Sequence, residues 1–347
     1  MVNDFKKNGH MRVIFETPEE RTKIIRILEE RGFLIDRKLK EREGLPAWDT
    51  RTFLLDLKRK KYEYGVQPFI GAAMMSSGAR FFTASEFFRI AELGFRVEPR
   101  FPVFHIPHTG NRFPFELLSS VCVSEDTFRR YHEQMSDTEV WRFVPRACYG
   151  GDMTERFDIS RLMCDVERFV GPEEKMGQYG MGFCYEKAFD GTVIKNVTEE
   201  DRKAALRYYE EHHARMDRLC ERHPRILLFD MHSFSEETLP EPVRKRERRL
   251  PDVCIGMDLK YTPHELVSRI ERRLDEVNLL HMINTPWSGT FVPRAVLNGN
   301  SSCDLVSVML EFNKQLYLGG DGKPDEARVL QIRKLMDRIL ADCVDLG

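Results

Sequence analysis

The amino-acid sequence predicts an α/β protein in which helices cover a sheet, preceded by a small N-terminal α+β domain. From about residue 100 onward, short apolar runs alternate with amphipathic helical segments, a pattern typical of a sheet with helices packed on it. All eight cysteines and nine of the ten histidines also follow residue 100, so the residues able to do chemistry are concentrated there. We therefore place the two domains at 1–95 and 96–347.

The first domain has the size of a small accessory module, and its sequence indicates no function. Residues 11–16 alternate like a strand. Thr17 is a favourable N-cap for a helix that we expect to end at Gly32. The apolar face of that helix contains Ile24, Ile25, Ile27 and Leu28. A second helix is predicted over 86–93.

Four apolar runs of the second domain are predicted strands, at 102–107, 226–230, 279–284 and 305–311. Two amphipathic helices are predicted as well, one beginning after Thr198 and one near the C-terminus. Their apolar stripes are Leu206, Tyr209, His213, Met216 and Cys220 in the first, and Val329, Ile332, Met336 and Ile339 in the second.

The composition excludes several classes of protein. With 41% hydrophobic and 32% charged residues, the chain is neither disordered nor collagen-like. A net charge of -2 gives no global attraction to nucleic acid or to a membrane surface, so neither is an expected partner. No segment approaches the roughly 18 apolar residues of a membrane span, and the first ten residues do not resemble a secretion signal. The cysteines form no Cys-x-x-Cys pair, which favours reduced thiols in a cytoplasm.

Two histidines follow predicted strands directly, His108 after 102–107 and His232 after 226–230. Ligands of open α/β sheets bind at this edge. A catalytic zinc commonly takes two histidines and one carboxylate and keeps a position for water. Asp137 and Glu139 are the best placed acids, and their spacing does not choose between them. An exposed acidic loop is an equal alternative for this pair.

Glu311 ends a strongly apolar run, and burial of its carboxyl would raise its pKa toward the range of a general base. A helix-start acid is the structural alternative. Arg161, Arg168 and Arg294 have the planar guanidinium that binds carboxylates in a bidentate manner, although each one alone is more typical of a structural salt bridge.

These segments together resemble the ordered motifs of the N-formylglutamate amidohydrolase family, from about residue 100 to 320. A single motif of this kind is weak evidence, whereas the complete order is specific. The motifs are Pro107-His108-Thr109-Gly110, Asp137-Thr138-Glu139, Ser160-Arg161 with Asp165 and Arg168, Tyr208-Tyr209 with His213, Asp230-Met231-His232-Ser233, Pro251-Asp252 with Gly256, Pro286-Trp287-Ser288-Gly289, and Leu310-Glu311.

The resemblance implies a mixed sheet flanked by helices, with the phosphorylase/hydrolase-like fold of the zinc carboxypeptidases. It implies one Zn²⁺ held by His108, His232 and either Asp137 or Glu139, with Glu311 as the base. The substrate would be a small carboxylate-bearing amide. N-formylglutamate would give formate and glutamate, the last step of one histidine-degradation route. Substrate-binding roles are implied for Arg161, Arg168, Arg294, His213 and Ser233.

The chain departs from the family pattern at three positions. Thr109 replaces a serine, Glu139 replaces an aspartate, and Glu167 replaces the asparagine before Arg168, which adds a negative charge beside that arginine. These departures are compatible with hydrolase chemistry. They argue against assigning glutamate as the amino acid half of the substrate from the resemblance. Two further hypotheses are a related deacylase or peptidase for a larger amide, and a non-catalytic binding protein that keeps the metal pocket.

Overall fold

The computed structural model describes residues 10–15, 17–35, 52–56, 61–65, 80–85, 87–88, 99–239, 244 and 249–346. The chain divides into two compact units. One unit comprises Met1–Pro99 with Asp345–Gly347, and the other comprises Arg100–Val344. The assignment of domains to 1–95 and 96–347 stays a prediction.

In the described part of the first unit, five strands form one sheet in the order β2-β4-β3-β1-β5. The strands are β1 (His10–Ile14), β2 (Leu34–Ile35), β3 (Thr52–Asp56), β4 (Lys61–Gly65) and β5 (Arg80–Thr83). The strand predicted at 11–16 is thus confirmed over 11–14 and begins one residue earlier, and position 16 lies outside the described residues.

The predicted first helix is confirmed as α1 (Pro18–Glu30). Thr17 and Glu20 form a capping box, in which each side chain accepts from the backbone N–H of the other residue. Ile24 and Leu28 of the predicted apolar face are buried. The helix gives way to Gly32, whose φ of 78° lies in the left-handed region that favours glycine after a helix. The helix predicted at 86–93 falls largely outside the described residues.

The second unit contains a mixed sheet of six strands in the order β10-β9-β11-β8-β6-β7. All neighbouring pairs are parallel except β9 and β11. This confirms the mixed sheet and the four predicted strands, of which two are longer than expected. The strands are β6 (Phe101–Ile106), β7 (Thr154–Arg156), β8 (Arg225–Phe234), β9 (Val253–Gly256), β10 (His281–Ile283) and β11 (Asp304–Asn313).

Helices flank this sheet, and both predicted amphipathic helices are present. The helices are α2 (Glu125–Met135), α3 (Glu199–Arg222), α4 (His264–Asp275), the short α5 (Arg294–Leu297) and α6 (Glu326–Cys343). Short 3-10 turns lie at Phe115–Leu117, Val140–Phe143, Arg146–Cys148, Gly151–Met153, Lys175–Tyr179, Glu236–Thr238 and Lys314–Leu316. Among the described helices, none is long and apolar enough to cross a bilayer.

The core of the second unit lies on the two central strands. Every residue of β8 and β11 after the first is buried, as expected of parallel strands covered on both faces. The eight cysteines all lie in the described part of the chain; none of them forms a disulfide, and only Cys122 is exposed. The seven buried cysteines therefore pack in the protein interior as small apolar side chains.

We expect Leu228→Ala to lower the free energy of unfolding by about 2–5 kcal/mol, because it leaves a cavity in the centre of β8. Leu228 is 1% exposed, whereas Leu259, the matched control, is 91% exposed. Leu259→Ala should change stability by less than about 0.5 kcal/mol. Urea unfolding followed by circular dichroism measures both, and equal effects would contradict the burial of Leu228.

Candidate metal centre and active site

The candidate site forms where β6, β8 and β11 end at the same edge of the sheet. These strands are parallel neighbours, so their carboxyl ends coincide. His108 lies two residues beyond β6, and His232 lies near the end of β8. Glu311 of β11 is the direct register partner of His232. Paired residues of parallel strands point to the same face, which brings three of the predicted residues together.

The two imidazoles and Asp137 form the centre of this site. The rings of His108 and His232 have centroids 5.0 Å apart, and both residues are buried. The Asp137 carboxylate oxygen Oδ2 lies 3.0 Å from His232 Nδ1 and 3.4 Å from His108 Nδ1. Burial alone would raise the pKa of Asp137, but the two histidines hold it below its usual value.

A different carboxylate holds the opposite nitrogen of each ring. His108 Nε2 donates to Asp165 Oδ1 at 2.9 Å, and His232 Nε2 donates to Asp230 Oδ1 at 3.1 Å. Histidines that bind metals usually donate their second ring N–H to a carboxylate in this way. The Nδ1 atoms of both rings therefore face Asp137, and that of His232 contacts its carboxylate at 3.0 Å. His108 Nδ1 is buried and makes no hydrogen bond to any described residue.

Asp230 is held by further donors on the same edge. Its Oδ1 accepts from His105 Nδ1 at 2.8 Å, and its Oδ2 accepts from the backbone N–H of Phe291 at 2.9 Å. His105 Nε2 lies 3.0 Å from His212 Nε2, so the buried polar network extends into helix α3. The sequence analysis did not identify His105 or His212 as part of the site. The available signal was a histidine inside an apolar strand, where a buried polar group needs partners.

Glu167 is a second acidic residue at the histidine pair, on the Nε2 side. Its Oε2 lies 3.3 Å from His232 Nε2 and 3.5 Å from His108 Nε2. Two groups of potential metal ligands contain it, one with His108 and His232 and one with His105 and Asp230. From the sequence, Glu167 was noted only as a charge beside Arg168. The structure makes it an alternative third ligand.

Glu139, the other acid considered for the metal, is placed differently. Its carboxylate accepts from Arg142 Nη1 at 3.1 Å and remains partly exposed. Asp137, in contrast, lines the central cavity and is 2% exposed. Between the two acids that spacing could not separate, the geometry favours Asp137.

The general-base candidate Glu311 is 7% exposed. Its Oε2 atom is buried and accepts no hydrogen bond from any described residue. Burial raises the pKa of Glu311 to about 8, and the charge of Asp137 acts in the same direction. The carboxyl group is thus held in a dry position beside the histidine pair, as expected of a proton acceptor whose strength depends on desolvation.

Lys314 is a further residue of the site that the sequence analysis did not find. Its ammonium group is buried, lines the cavity and donates to the backbone carbonyl of Gln134 at 2.7 Å. Burial lowers the pKa of Lys314 to about 8, and the charges of Asp137 and Glu311 counteract that effect. Lys314 directly follows the buried strand β11. Its position in the sequence does not indicate a site residue, because its proximity to Asp137 arises only in the folded chain.

The three predicted arginines differ in how their guanidinium groups are engaged. Arg161 donates to Asp165 from Nε and Nη2, at 3.2 and 2.8 Å. Arg294 makes a two-pronged salt bridge with Glu210, at 2.9 and 2.7 Å. Arg168 lies 3.9 Å from Asp165 and has a buried Nε that donates to none of the described residues. Arg168 is therefore the arginine best placed to bind an added carboxylate.

The remaining predicted substrate contacts are His213 and Ser233, which both line the cavity. His213 Nε2 donates to the Val166 carbonyl at 2.8 Å, and burial lowers the pKa of His213 to about 3. The ring is thus neutral, and its Nδ1 is an acceptor without a partner among the described residues. The Ser233 hydroxyl donates to Asp137 Oδ1 at 3.4 Å, a contact that helps to orient the carboxylate.

Comparisons with known proteins agree with this description. Residues 102–318 match the sequence model of a family described as N-formylglutamate amidohydrolase. A comparison with curated proteins gives no match. One similar solved structure is an N-formylglutamate amidohydrolase from Ralstonia eutropha, with a TM-score of 0.55 and 20% identity, covering 71% of this chain and 94% of that chain. This likeness shows a shared fold.

A second similar solved structure is a gene product of Agrobacterium tumefaciens. Its TM-score is 0.48 and its identity is 16%, and the match covers 70% of this chain and 90% of that chain.

We expect Asp137→Asn to weaken binding of a divalent metal by more than about 100-fold, beyond the 10- to 100-fold loss typical of outer-shell changes. Glu167→Gln should weaken it by less than that, and Glu139→Gln should leave it unchanged. Metal content and chelator competition measure all three. Loss of the ion from Glu167→Gln with retention in Asp137→Asn would place it on the Nε2 side instead.

Proposed function

We propose that this chain, which belongs to the N-formylglutamate amidohydrolase family, hydrolyses the amide bond of an N-formylated amino acid with the help of one zinc ion. The observation that carries the proposal is the convergence of two Nδ1 atoms on one buried carboxylate, beside a buried glutamate. N-formylglutamate is the first substrate to test, since the family takes its name from it.

The residues fit a zinc ion in their chemistry. Imidazole nitrogens and a carboxylate are the common donors of catalytic zinc sites. The buried, unpartnered His108 Nδ1 is an atom that such an ion would satisfy. We propose His108, His232 and Asp137 as the ligands, supported by the carboxylates that already hold the opposite ring nitrogens. When bound, zinc acts as a Lewis acid that polarises a carbonyl group and makes water more acidic.

The protein's own groups supply the proton transfers. Glu311, unpartnered at Oε2, accepts a proton from water and returns it to the departing amine nitrogen. Its burial strengthens it as a base, and a divalent ion nearby would lower its pKa again by favouring the carboxylate. The water molecule adds to the formyl carbon, the carbon-nitrogen bond breaks, and formate leaves with the free amino acid.

Two residues orient the substrate in this proposal. Arg168 binds the carboxylate of the amino acid through its guanidinium group, whose Nε makes no hydrogen bond to a described residue. His213 offers its Nδ1 lone pair to a substrate N–H, because its other nitrogen already donates to Val166. Fixing both ends of the molecule places the amide carbon beside Glu311, and such positioning supplies a large part of the rate enhancement of enzymes.

We further propose that the reaction takes place in the cytoplasm. The support is that the eight cysteines, seven of them buried, form no disulfide among the described residues, since proteins of oxidising compartments commonly pair such residues.

Zinc-loaded protein should release formate from N-formyl amino acids, and chelation of the metal should abolish the release. Formate is the product common to all such substrates, so an assay coupled to formate dehydrogenase reads every one of them. Activity should return when zinc is restored to the chelated protein. Absence of formate from every N-formyl amino acid would remove the proposed function, and full activity after verified metal removal would remove its metal dependence.

Glu311→Gln should lower kcat by about 10²–10⁴-fold, the usual contribution of a general acid-base group. The amide side chain keeps the shape of the carboxylate but does not accept the proton, so zinc content should stay at the wild-type value. Glu221→Gln is the matched control, because Glu221 is exposed at the far end of helix α3. Retained turnover in Glu311→Gln would show that another group is the base.

A further inference from the structure

The cavity at the sheet edge is large for a formylated glutamate. Its volume is about 550 Å³, equivalent to about 18 water molecules at about 30 Å³ each. Clefts of about 300–1,000 Å³ typically bind ligands of drug size. A formylated glutamate fills only part of such a space, so the volume of the cavity leaves room for a bulkier ligand.

One wall of the cavity is aromatic. The ring of His213, which is neutral, lies tilted against Tyr209 with centroids 4.3 Å apart and against Phe291 with centroids 5.7 Å apart. Two apolar side chains that also line the cavity are open to solvent, Phe169 at 59% and Leu297 at 53% exposed. Apolar groups left exposed around a concavity are typical of sites that bind an apolar ligand.

The cationic groups of the cavity are mostly engaged by acids of the protein. Arg161 is bound to Asp165, and Arg294 is bound to Glu210 by both prongs of its guanidinium group. Arg168, the third described arginine that lines the cavity, lies 3.9 Å from Asp165, and its Nε donates no hydrogen bond to a described residue. A dicarboxylate such as glutamate needs two such partners.

Lys314 does not supply the second partner. Its ammonium group is 8% exposed, donates to a backbone carbonyl and is balanced by the nearby charges of Asp137 and Glu311. Glu167 adds a further negative charge to the cavity, directly before Arg168 in the chain. A second substrate carboxylate would therefore lose its hydration without gaining a free cation, and it would face a like charge.

We propose that the site selects N-acylated amino acids with one carboxylate and an apolar side chain, in preference to those of glutamate. This inference rests on the proposed function. The single carboxylate binds Arg168, and the apolar side chain lies along the wall formed by Tyr209, His213 and Phe291. Removal of the apolar surface of these rings and of the substrate side chain from water stabilises the complex.

A panel of four N-formyl amino acids tests the preference on zinc-loaded protein. The substrates are the formyl derivatives of L-phenylalanine, L-leucine, L-glutamine and L-glutamate. We expect kcat/KM for phenylalanine and leucine to exceed that for glutamate by about tenfold or more. The glutamine derivative has about the size of the glutamate derivative but lacks its second charge. Its kcat/KM should therefore fall between the values for the apolar substrates and for glutamate. A value for glutamate equal to or above that for phenylalanine would overturn the inference.

Glu167→Gln tests the role of the added charge. The variant should raise kcat/KM for the glutamate derivative relative to the phenylalanine derivative by about fivefold or more, because it removes a like charge. The ratio is informative even where the variant is slower overall. Glu221→Gln, with its exposed side chain, should leave the ratio unchanged. An unchanged ratio in Glu167→Gln would overturn the charge argument.

Binding separates this inference from the proposed function. Zinc-loaded Glu311→Gln protein can be titrated with the phenylalanine and glutamate derivatives in a calorimeter, where no turnover is needed. Tighter binding of the phenylalanine derivative supports the selectivity even if the wild type releases no formate, an outcome that removes only the hydrolase proposal. Tighter binding of the glutamate derivative, or no binding of either, overturns the selectivity.

Discussion

The site depends on one constraint, the fixing of two buried histidine rings by carboxylates on their Nε2 atoms. Asp165 holds His108 and Asp230 holds His232. These bonds decide which nitrogen of each ring faces Asp137, and thus where an ion would be bound. A buried carboxylate is costly unless other donors compensate it. The protein supplies those donors, Arg161 from four residues earlier for Asp165 and the backbone of Phe291 from a distant part of the chain for Asp230.

The sheet then sets the position of the base relative to the histidines. Glu311 is the register partner of His232 in two neighbouring parallel strands, so its location follows from backbone pairing. A slip of one residue would turn its side chain to the opposite face of the sheet. The continuous burial of both strands opposes such a slip and keeps the carboxyl group dry. The same packing that stabilises the core therefore also gives Glu311 its raised pKa.

The sequence predicted the parts of this arrangement that depend on strand ends. His108, His232 and Glu311 follow or end apolar runs, and periodicity identifies such runs. Glu167 and Lys314 were missed as parts of the site because their positions depend on how the chain turns beyond the strands. Spacing could not separate Asp137 from Glu139, since the choice rests on Arg142, which binds Glu139. The availability of Arg168 likewise depends on contacts that Arg161 and Arg294 make elsewhere.

Specificity and metal binding share residues in this site, which limits how independently they can change. Glu167 lies within 3.5 Å of the Nε2 atoms of both histidines and also lines the substrate cavity. Its negative charge favours donation from the two rings and at the same time opposes a second substrate carboxylate. A neutral residue there would relax the proposed selectivity and remove a negative charge beside both rings. In the proposed arrangement, the charge that disfavours an anionic side chain in the substrate therefore also lies beside the ring nitrogens of the proposed metal ligands.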